Sequence, residues 1–573
     1  MLLRPRRWLS AATSPPLALL TAALLFLSAC GTARIAEPVL PEGQAEPARA
    51  LETNPGYQYL LSPSAEAEAR RRLTTLAADA MAGREATTEG ERLAAAFIVD
   101  ELEGMGVAPG GDLVDGARTY FQTFPLRTGR FDFERTRFGL ADGPDSVPGD
   151  DWVALIEQTP EVNLNGVPLV FAGYGISAPD QGYDDYAGLD VTGKVVLVAP
   201  GKPAGVDSVA GLQGKLAADD FLPKLIGALQ RRAAAVAIIS DPAFAAESWD
   251  LYRSEVLGTS MEPPGGQLMI LPAPTLFIHP DYAVRLFDAF GMPADVLDRA
   301  EAGQPLPALG AEQSVNLTTV VSWGTAEARN VVGVLPGDEQ PDEFVAFGAH
   351  YDHVGTIGGE IYNGADDDAS GVTAVLAVAQ ALAADADAGN APDRSSLFVF
   401  HTAEEKGLYG SEFFADNPGR SVLADIDRVV AQVNLDMVAR EHPDSLYVVG
   451  ASRLSTTFGR RVNEINASLG DGDPLFTFDF TYDDPDDPEN LYERSDHYNY
   501  AKHGVPVVFL TDGMGANWAK GLPRDDYHKP DDDAELIDYA KLVRVARLAY
   551  ALGRATADTD ARPEVDQPVE SVP

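Results

Sequence analysis

Cysteine is almost absent from this chain of 573 residues, which has a single one at Cys30. Disulfides within the chain and thiolate metal sites are therefore excluded. Basic residues are also scarce, since 43 lysines and arginines stand against 87 acidic residues, for a formal net charge of −44. Nucleic acid and anionic lipid surfaces attract basic proteins, so neither is expected as a partner.

The first 29 residues predict a bacterial lipoprotein signal. Three arginines precede the apolar run Leu17–Leu27, which is shorter than the ~20 residues needed to span a bilayer. The run ends in LSAC, and this ending resembles the signal in which the cysteine becomes the acylated first residue of the mature chain. We therefore expect an exported protein that is attached to a membrane of the cell envelope only through Cys30. A free thiol in a discarded signal peptide is the other interpretation of Cys30.

Composition divides the rest of the chain into five regions. A flexible tether rich in Pro, Ala and Glu is expected over residues 30–62, and a disordered acidic tail over 555–573. The catalytic domain is expected in two parts, 63–159 and 319–554. Between them, short apolar strands and turns rich in Gly, Asp and Pro favour an inserted β-rich or mixed domain over 160–318.

Alternating strands and helices from Asn330 onward predict an α/β fold. The strand-like runs FVAFGAH, SLFVFHTA and VVAQVNLDMV are nearly continuous apolar segments that helical segments separate. Strands of this kind are buried on both faces of a sheet. We therefore expect a mostly parallel central sheet covered by helices.

Histidines and acids cluster at the ends of these predicted strands. His350 ends the first strand, Glu404 and Glu405 end the second, and Asp436 lies near the end of the third. Ligands of open α/β sheets bind beyond the carboxyl ends of the strands, so these side chains are expected to lie together. Imidazole and carboxylate without thiolate fit Zn²⁺ and are compatible with Co²⁺ or Mn²⁺. The balance between the charges of divalent ions and of carboxylate ligands favours two such ions. A pair of ions can also activate a water molecule and stabilise the oxyanion that forms when this water attacks a carbonyl group.

Five motifs in a fixed order carry a family resemblance. They are HYD at 350–352, GADDDASG at 364–371, TAEE at 402–405, LDM at 435–437 and YH at 527–528. The chain resembles the co-catalytic di-zinc exopeptidases, the family of aminopeptidase Y, glutamate carboxypeptidase II and the catalytically inactive transferrin receptor. Several members carry a protease-associated domain, to which the segment 160–318 would correspond.

The resemblance implies a set of metal ligands. They are His350 and Asp436 for one zinc, Glu405 and His528 for the other, and Asp367 as the bridge between them. In the family the bridging aspartate stands three residues before the serine that is Ser370 here, and the peptide after it is often cis. Spacing alone does not separate Asp367 from Asp366 or Asp368, and all three also fit a helix cap before Ala369–Leu382.

The resemblance also implies three catalytic roles. Glu404 would be the general base that takes a proton from water and passes it to the leaving amine. Adjacent side chains of an extended segment point in opposite directions, so Glu404 and Glu405 are expected to differ in role. Asp352 would orient His350, and Tyr527 would hydrogen-bond the oxyanion.

The remaining histidines of these segments receive no such role. For His353 and His401 we predict hydrogen-bonded structural positions, and for His497 a place in the pocket wall.

The predicted function is that of a zinc-dependent metallo-aminopeptidase, an exopeptidase that removes N-terminal residues from peptides. A carboxypeptidase of the same family is the alternative. Such an enzyme would need cations to bind the terminal carboxylate, and the motif regions offer few. The candidate cations of the motif regions are Arg440, Lys406, Arg494 and Lys529. A non-enzymatic receptor would have lost metal ligands, and a glutaminyl cyclase uses a single zinc, so both fit less well.

The acidic segment Phe478–His497 is expected to be a solvated loop, with a Ca²⁺ site or a rim that attracts α-amino groups as alternatives. A solvated loop predicts that replacing Asp484 and Asp487 by Asn changes the melting temperature equally in calcium and in chelator. The change should correspond to no more than about 0.5 kcal/mol in the free energy of unfolding. Scanning calorimetry measures the melting temperature in each buffer, and a lower melting temperature only in the calcium-containing buffer would reveal a calcium site.

Overall fold

The computed structural model describes part of the chain, within one compact unit. The described residues are 51–567 without 144–145, 156–160, 207–220, 243–244, 247–248, 250–252, 254–257, 266–272, 441, 485–486, 488–489 and 514–525. The predicted signal, Cys30 and most of the predicted tether lie outside the described residues.

Helices of the described residues lie mainly in the catalytic part. In chain order they are α1 Pro55–Leu60, α2 Pro63–Leu76, α3 Glu89–Gly104, α4 Phe221–Gln230, α5 Pro280–Ala289, α6 Val296–Glu301, α7 Ala369–Asp387, α8 Tyr409–Asp416, α9 Thr456–Leu469, α10 His497–Lys502 and α11 Tyr539–Ala557. Helix α2 ends at Leu76, and the extended Ala78, with φ −78° and ψ 148°, follows it. A short 3-10 turn, Asp79–Arg84, comes next and contains positive φ angles of 48° and 69° at Ala82 and Gly83.

The strands are shorter in the first part of the chain. In chain order they are β1 Ala108–Pro109, β2 Leu113–Val114, β3 Ala117–Arg118, β4 Phe121–Phe131, β5 Arg137–Leu140, β6 Trp152–Ala154, β7 Glu161–Ala172, β8 Ser177–Ala178, β9 Tyr183–Asp184, β10 Val195–Val198 and β11 Ala235–Ile239. They continue with β12 Ser260–Glu262, β13 Thr275–Ile278, β14 Ala308–Leu335, β15 Gln340–His350, β16 Gly355–Ile357, β17 Glu360–Tyr362, β18 Arg394–His401, β19 Val429–Leu435, β20 Ser445–Val449, β21 Thr477–Asp479 and β22 Val507–Thr511.

The catalytic part has a mostly parallel central sheet, which confirms the predicted fold class. Its centre is formed by the parallel strands β18, β15, β19 and β22, in this spatial order. The antiparallel strands β14 and β20 flank them. His350 pairs with His401 across β15 and β18, so the carboxyl ends of these strands are level.

Helices cover both faces of this sheet. Helices α7 and α11 pack together on one face, with α1, α2 and α3 outside them, and α8 and α10 pack on the other face. By length and hydropathy α7 is the one described helix that could cross a membrane. Its apolar window is 83% buried inside the protein, however, as expected of a core helix.

The inserted part has its own hydrophobic core and begins earlier than residue 160. Parallel strands β7, β10, β11 and β13 form its sheet, with helices α4, α5 and α6. Strands β5 and β6 pair with β14 and β13, and their Phe138 and Trp152 are buried in this core. Composition alone placed the boundary later because these strands are only three to four residues long.

Strand β14 belongs to both parts. Its first half pairs with β5 and β7 of the insert, and its second half pairs with β4 and β18 of the catalytic part. One sheet therefore runs without a break from the insert to the parallel strands β18, β15, β19 and β22.

Both predicted flexible ends are partly ordered. Within the expected tether, Tyr57 and Leu60 of α1 are buried against the core, and the Gly56 N–H donates to Asp385 Oδ1 at 2.8 Å. Within the expected tail, α11 continues to Ala557 and Arg562 donates to Glu343 at 2.8 Å. Their acidic and Pro-rich composition concealed a few apolar and ion-pairing residues.

The approach of α1 to α7 predicts a specific sensitivity at Gly56. A Cβ there would lie 2.2 Å from the Ala381 carbonyl oxygen, so Gly56→Ala forces the helices apart. We expect a loss of about 1–3 kcal/mol in the free energy of unfolding, measured by denaturant titration. Gly104→Ala is the control, since a Cβ at Gly104 meets no atom within 4 Å. Equal stability of the two variants would contradict the close contact.

Candidate metal centre

The predicted ligands converge at the carboxyl edge of the central sheet. His350 is the last residue of β15, Glu404 and Glu405 follow the end of β18, and Asp436 follows β19 directly. Because these strands are parallel and adjacent, their ends deliver side chains to one place. His528 approaches from the loop before α11.

Asp367 lies between two histidines. Its Oδ1 is 3.3 Å from His350 Nε2, and its Oδ2 is 3.1 Å from His528 Nε2. The side chain is nearly buried, with 3% of the residue exposed. Each of its oxygens therefore faces a different imidazole, which is the arrangement a bridging ligand requires.

The neighbouring aspartates have other contacts. Asp366 Oδ1 accepts the Ala439 N–H at 3.0 Å. Asp368 Oδ1 accepts the Gly371 N–H at 2.8 Å and caps α7. The structure thus separates three consecutive aspartates that spacing could not, and the peptide between Asp367 and Asp368 is cis, as the resemblance implied.

A first group of possible ligands surrounds His350. The Nε2 atom of His350 is 3.6 Å from Asp436 Oδ1 and 3.9 Å from Glu404 Oε2. Ser495 Oγ donates to Asp436 Oδ2 at 2.7 Å and leaves Oδ1 directed at the histidine. The ligand atoms of these three residues lie within 4.8 Å of one another.

A second group surrounds His528. Glu405 Oε2 lies 2.9 Å from His528 Nε2, and Glu405 Oε1 lies 2.7 Å from His353 Nδ1. Together with Asp367, these residues also place their ligand atoms within 4.8 Å of one another.

His353 is the residue of the centre that the sequence analysis missed. We predicted a structural position for it, but its buried ring contacts Glu405 and lies 5.5 Å from the His528 ring. The signal was its position three residues after His350 in the same strand-end loop. Either as a ligand or as the partner that holds Glu405, His353 belongs to the second group.

His401 and His497 lie outside the cavity. His401 Nε2 is 3.2 Å from the Tyr500 hydroxyl, which matches the predicted structural position. His497 is fully buried and stacks on Phe509 at 4.8 Å. It does not line the cavity, because α10 begins at His497 and turns its ring into the core.

Asp352 contacts both His350 and Glu404. Its backbone carbonyl oxygen lies 3.2 Å from His350 Nδ1, whereas its carboxylate is 3.8 Å from that nitrogen. A proton on Nδ1 would donate to the carbonyl and leave Nε2 for a metal ion. The carboxylate instead accepts the Glu404 N–H at 3.2 Å and so positions Glu404.

Tyr527 forms part of the cavity wall. Its ring stacks on His528, with centroids 3.9 Å apart and planes 21° apart. Burial raises the pKa of Tyr527 well above its usual value, so its hydroxyl keeps a proton to donate at neutral pH.

The electrostatics of the centre call for added positive charge. Burial lowers the pKa of His528, but Glu405 and Asp367 raise it more, to about 10. Burial raises the pKa of Glu404 well above its usual value, with His350 opposing and Glu405 adding. Both ring nitrogens of His528 are buried without a well-formed hydrogen bond. The imidazole and carboxylate atoms of the two groups are ligand types that fit zinc.

The cavity beside the centre is partly apolar. Met437, Leu491 and Phe509 form one part of its wall, next to Thr511 and Arg494. Arg494 is the cation among the described residues that line it.

The calcium site considered as an alternative for the acidic segment would involve Asp484 and Asp487. Asp487 Oδ2 accepts the Leu491 N–H at 3.2 Å, and neither Asp484 nor Asp487 joins a possible metal-binding group among the described residues.

Comparison with known proteins finds a family model and several relatives that are similar to this part of the chain. Residues 330–553 match the model of Peptidase family M28. The probable leucine aminopeptidase of Arthroderma benhamiae is 28% identical over 234 residues, which cover 40% of this chain and 58% of that protein. The probable leucine aminopeptidase 2 of Aspergillus oryzae is 24% identical over 476 residues, which cover 79% and 81%. The chain therefore spans little more than half the length of the first relative and most of the second.

Solved structures show the same fold. An aminopeptidase from Aneurinibacillus sp. strain AM-1 is 19% identical, with a TM-score of 0.53 over 90% of this chain and 98% of that one. BSAP, a zinc aminopeptidase from Bacillus subtilis, is 18% identical, with a TM-score of 0.54 over 88% and 98%. The predicted resemblance is thus supported for residues 330–553, which match Peptidase family M28.

The raised histidine pKa values predict that metal binding weakens with acid. His528, and His350 beside Glu404 and Asp436, favour the protonated form in the metal-free protein, whereas a ligating imidazole must be neutral. Binding therefore displaces protons, and affinity should fall about tenfold per pH unit for each proton displaced as the pH drops from about 8 to about 6. Calorimetric titration with Zn²⁺ in buffers of different ionisation enthalpy measures both the affinity and the number of protons released on binding.

His528→Gln should reduce the number of protons released. His279→Gln, at the start of α5 in the insert, is the control and should leave it unchanged. An affinity that is independent of pH would contradict ligation by these histidines.

Proposed function

We propose that the protein is a zinc-dependent aminopeptidase that binds two zinc ions and removes N-terminal residues from peptides. The position of Asp367 carries the proposal, since its two oxygens face His350 and His528 at 3.3 and 3.1 Å. The relatives that are named leucine aminopeptidases support the same activity.

The ligands would divide between two sites. His350 and Asp436 would hold one zinc, Glu405 and His528 the other, and Asp367 would bind both. When bound, the zinc pair would make a water molecule more acidic and polarise the carbonyl group of the peptide bond.

Glu404 would act as the general base. It lies beside His350, but its carboxylate is not needed in the proposed ligand set, and the Asp352 carboxylate holds its N–H. Glu404 would take a proton from the attacking water and give it to the leaving amine. The Tyr527 hydroxyl, which burial keeps protonated, would donate to the developing oxyanion.

The cavity wall supports a preference for apolar N-terminal residues. Met437, Leu491 and Phe509 are apolar and lie beside the ligands. An apolar side chain would bury against them, while the peptide bond that follows lies at Glu404.

Arg494 supports one alternative, a carboxypeptidase. Of the cations considered from the sequence, Arg440 pairs with Asp532 at 3.2 Å and Lys406 lies 3.4 Å from Glu85. Arg494 lines the cavity and would attract a terminal carboxylate. Peptides blocked at the N-terminus or at the C-terminus distinguish the two activities, because an aminopeptidase cleaves only the second kind.

Location and the insert complete the proposal. We propose export and a lipid anchor at Cys30 on the basis of the sequence. The insert would be a protease-associated domain, which its mixed sheet and separate core support.

Glu404→Gln provides the direct test of the base. We expect zinc content to stay unchanged while kcat falls about 10²- to 10⁴-fold, because the amide cannot accept the proton. Metal analysis and hydrolysis of leucyl peptides measure the two effects. Glu412→Gln, in α8 outside the cavity, is the matched control and should keep full activity. Full turnover in Glu404→Gln would overturn the mechanism.

A further inference from the structure

We propose that Arg84 and Asp532 form a clamp that positions the bridging aspartate, Asp367, relative to His350. Both are positioning residues, since neither faces the cavity. The inference rests on the proposed metal site but not on the proposed reaction or substrate.

Arg84 holds carbonyl groups on two segments that carry ligands. Its residue is fully buried, and its Nε donates to the carbonyl oxygen of Tyr351 at 2.9 Å. Its terminal nitrogens donate to the carbonyl oxygens of Asn363 at 2.6 Å and Gly364 at 2.9 Å. A longer contact of 3.4 Å reaches the Asp367 carbonyl. One guanidinium group therefore connects the loop after β15 with the loop before α7.

The backbone of Arg84 adds to this connection. The His353 N–H donates to the Arg84 carbonyl oxygen at 3.1 Å. The segment also lies very close to its neighbours, since a Cβ at Gly83 would be 2.2 Å from the Gly355 carbonyl oxygen. Arg84 thus contacts the loop after β15 on both sides of Asp352.

Asp532 holds the amide groups of the same loop before α7. Its carboxylate accepts the N–H groups of Asp366 and Asp367, both at 3.0 Å. Its carbonyl oxygen accepts the Ala365 N–H at 3.0 Å. The residue is 1% exposed, so these bonds form away from water.

The two residues act on opposite groups of one short segment. A cation binds its carbonyl oxygens, and an anion binds its N–H groups, over residues 363–367. The backbone of Asp367 cannot shift without breaking bonds to Arg84 or to Asp532. Because a bridging ligand must reach two ions at once, the clamp fixes the geometry on which both sites depend.

Arg394 is a buried arginine with a purely structural role, and it serves as the comparison for Arg84. Arg394, the first residue of β18, is 1% exposed and donates to the carbonyl oxygens of Ala557 at 3.3 Å and Asp560 at 2.9 Å. It lies at the opposite end of the strand from Glu404 and Glu405. Arg394→Lys therefore removes the same kind of bonds from a place that no metal ligand shares.

A matching control exists for the carboxylate. Asp385 is fully buried and accepts the Gly56 N–H at 2.8 Å and the Tyr550 hydroxyl at 2.6 Å. Asp385→Asn mirrors Asp532→Asn away from the centre.

The test measures metal affinity and coordination of the metal-depleted full chain. Lysine in place of Arg84 keeps the charge but loses the planar fork of donors. We expect Arg84→Lys and Asp532→Asn each to weaken Zn²⁺ binding about 10- to 100-fold in competition with a chelator. Both should also change the visible spectrum of the protein loaded with Co²⁺. Arg394→Lys and Asp385→Asn should lower the melting temperature in chelator but leave the Zn²⁺ affinity and the spectrum of the Co²⁺-loaded protein unchanged.

The double variant Arg84→Lys with Asp532→Asn separates a clamp from two independent effects. A shared action predicts a loss of affinity smaller than the sum of the single losses, expressed as free energies. Additive losses would overturn the joint action, and unchanged affinity and spectra in the single variants would overturn the whole inference. If Arg84→Lys does not fold in chelator, as circular dichroism reports, Asp532→Asn alone decides. A parent protein that binds no Zn²⁺ would instead reject the proposed function.

Discussion

The concentration of carboxylates around two buried histidines is the interaction on which the centre depends. Asp367, Glu404, Glu405 and Asp436 lie at one edge of the sheet, where little water screens their mutual repulsion. In the metal-free protein the neighbouring carboxylates raise the pKa values of His350 and His528, which favours their protonated forms. Divalent cations would replace those protons with more charge in the same space. The site is therefore balanced only when it holds positive charge.

The fold provides the stiffness that such a charge cluster needs. Parallel strands β15, β18 and β19 end level with one another, so the ligands start from fixed backbone positions. The loop with Asp367 is not a strand and has no such ladder of its own. Its order comes from side chains that bind its backbone, Arg84 from one direction and Asp532 from the other. Arg84, which is far from the motifs in sequence, thus contributes to the precision of the site together with Asp532, which follows the YH motif by four residues.

Much of this could be predicted from the sequence, because apolar runs that end in His, Asp or Glu specify both the strands and the chemistry at their ends. Spacing alone could not divide the roles among Asp366, Asp367 and Asp368, since the division depends on which oxygen meets which loop in three dimensions; the family resemblance was needed to choose Asp367. Spacing alone also missed His353, whose contact with Glu405 arises from the turn after β15. The role of Arg84 was hidden because its partners are backbone carbonyls, which leave no pattern in the side chains.

The extent of helices and domains was harder to predict for a different reason. Short segments such as α1 and β6 have too few residues to show a period, and their order comes from the surface they pack against. Strand β14 is the opposite case, because its 28 residues exceed any ordinary strand and cross a predicted boundary at 318.

That long strand has a mechanical consequence. Domains that close over a substrate by rotation need a linker that few contacts cross. Strand β14 instead carries a hydrogen-bonded ladder from the insert into the catalytic sheet, with β4 paired alongside it from Phe121 to Phe131. The insert is thus continuous with the central sheet through the backbone hydrogen bonds of β14, so rotation of the insert would require some of these bonds to break. Changes in which peptides fit the cavity would then arise from changes in the loops around a fixed sheet rather than from movement of whole domains.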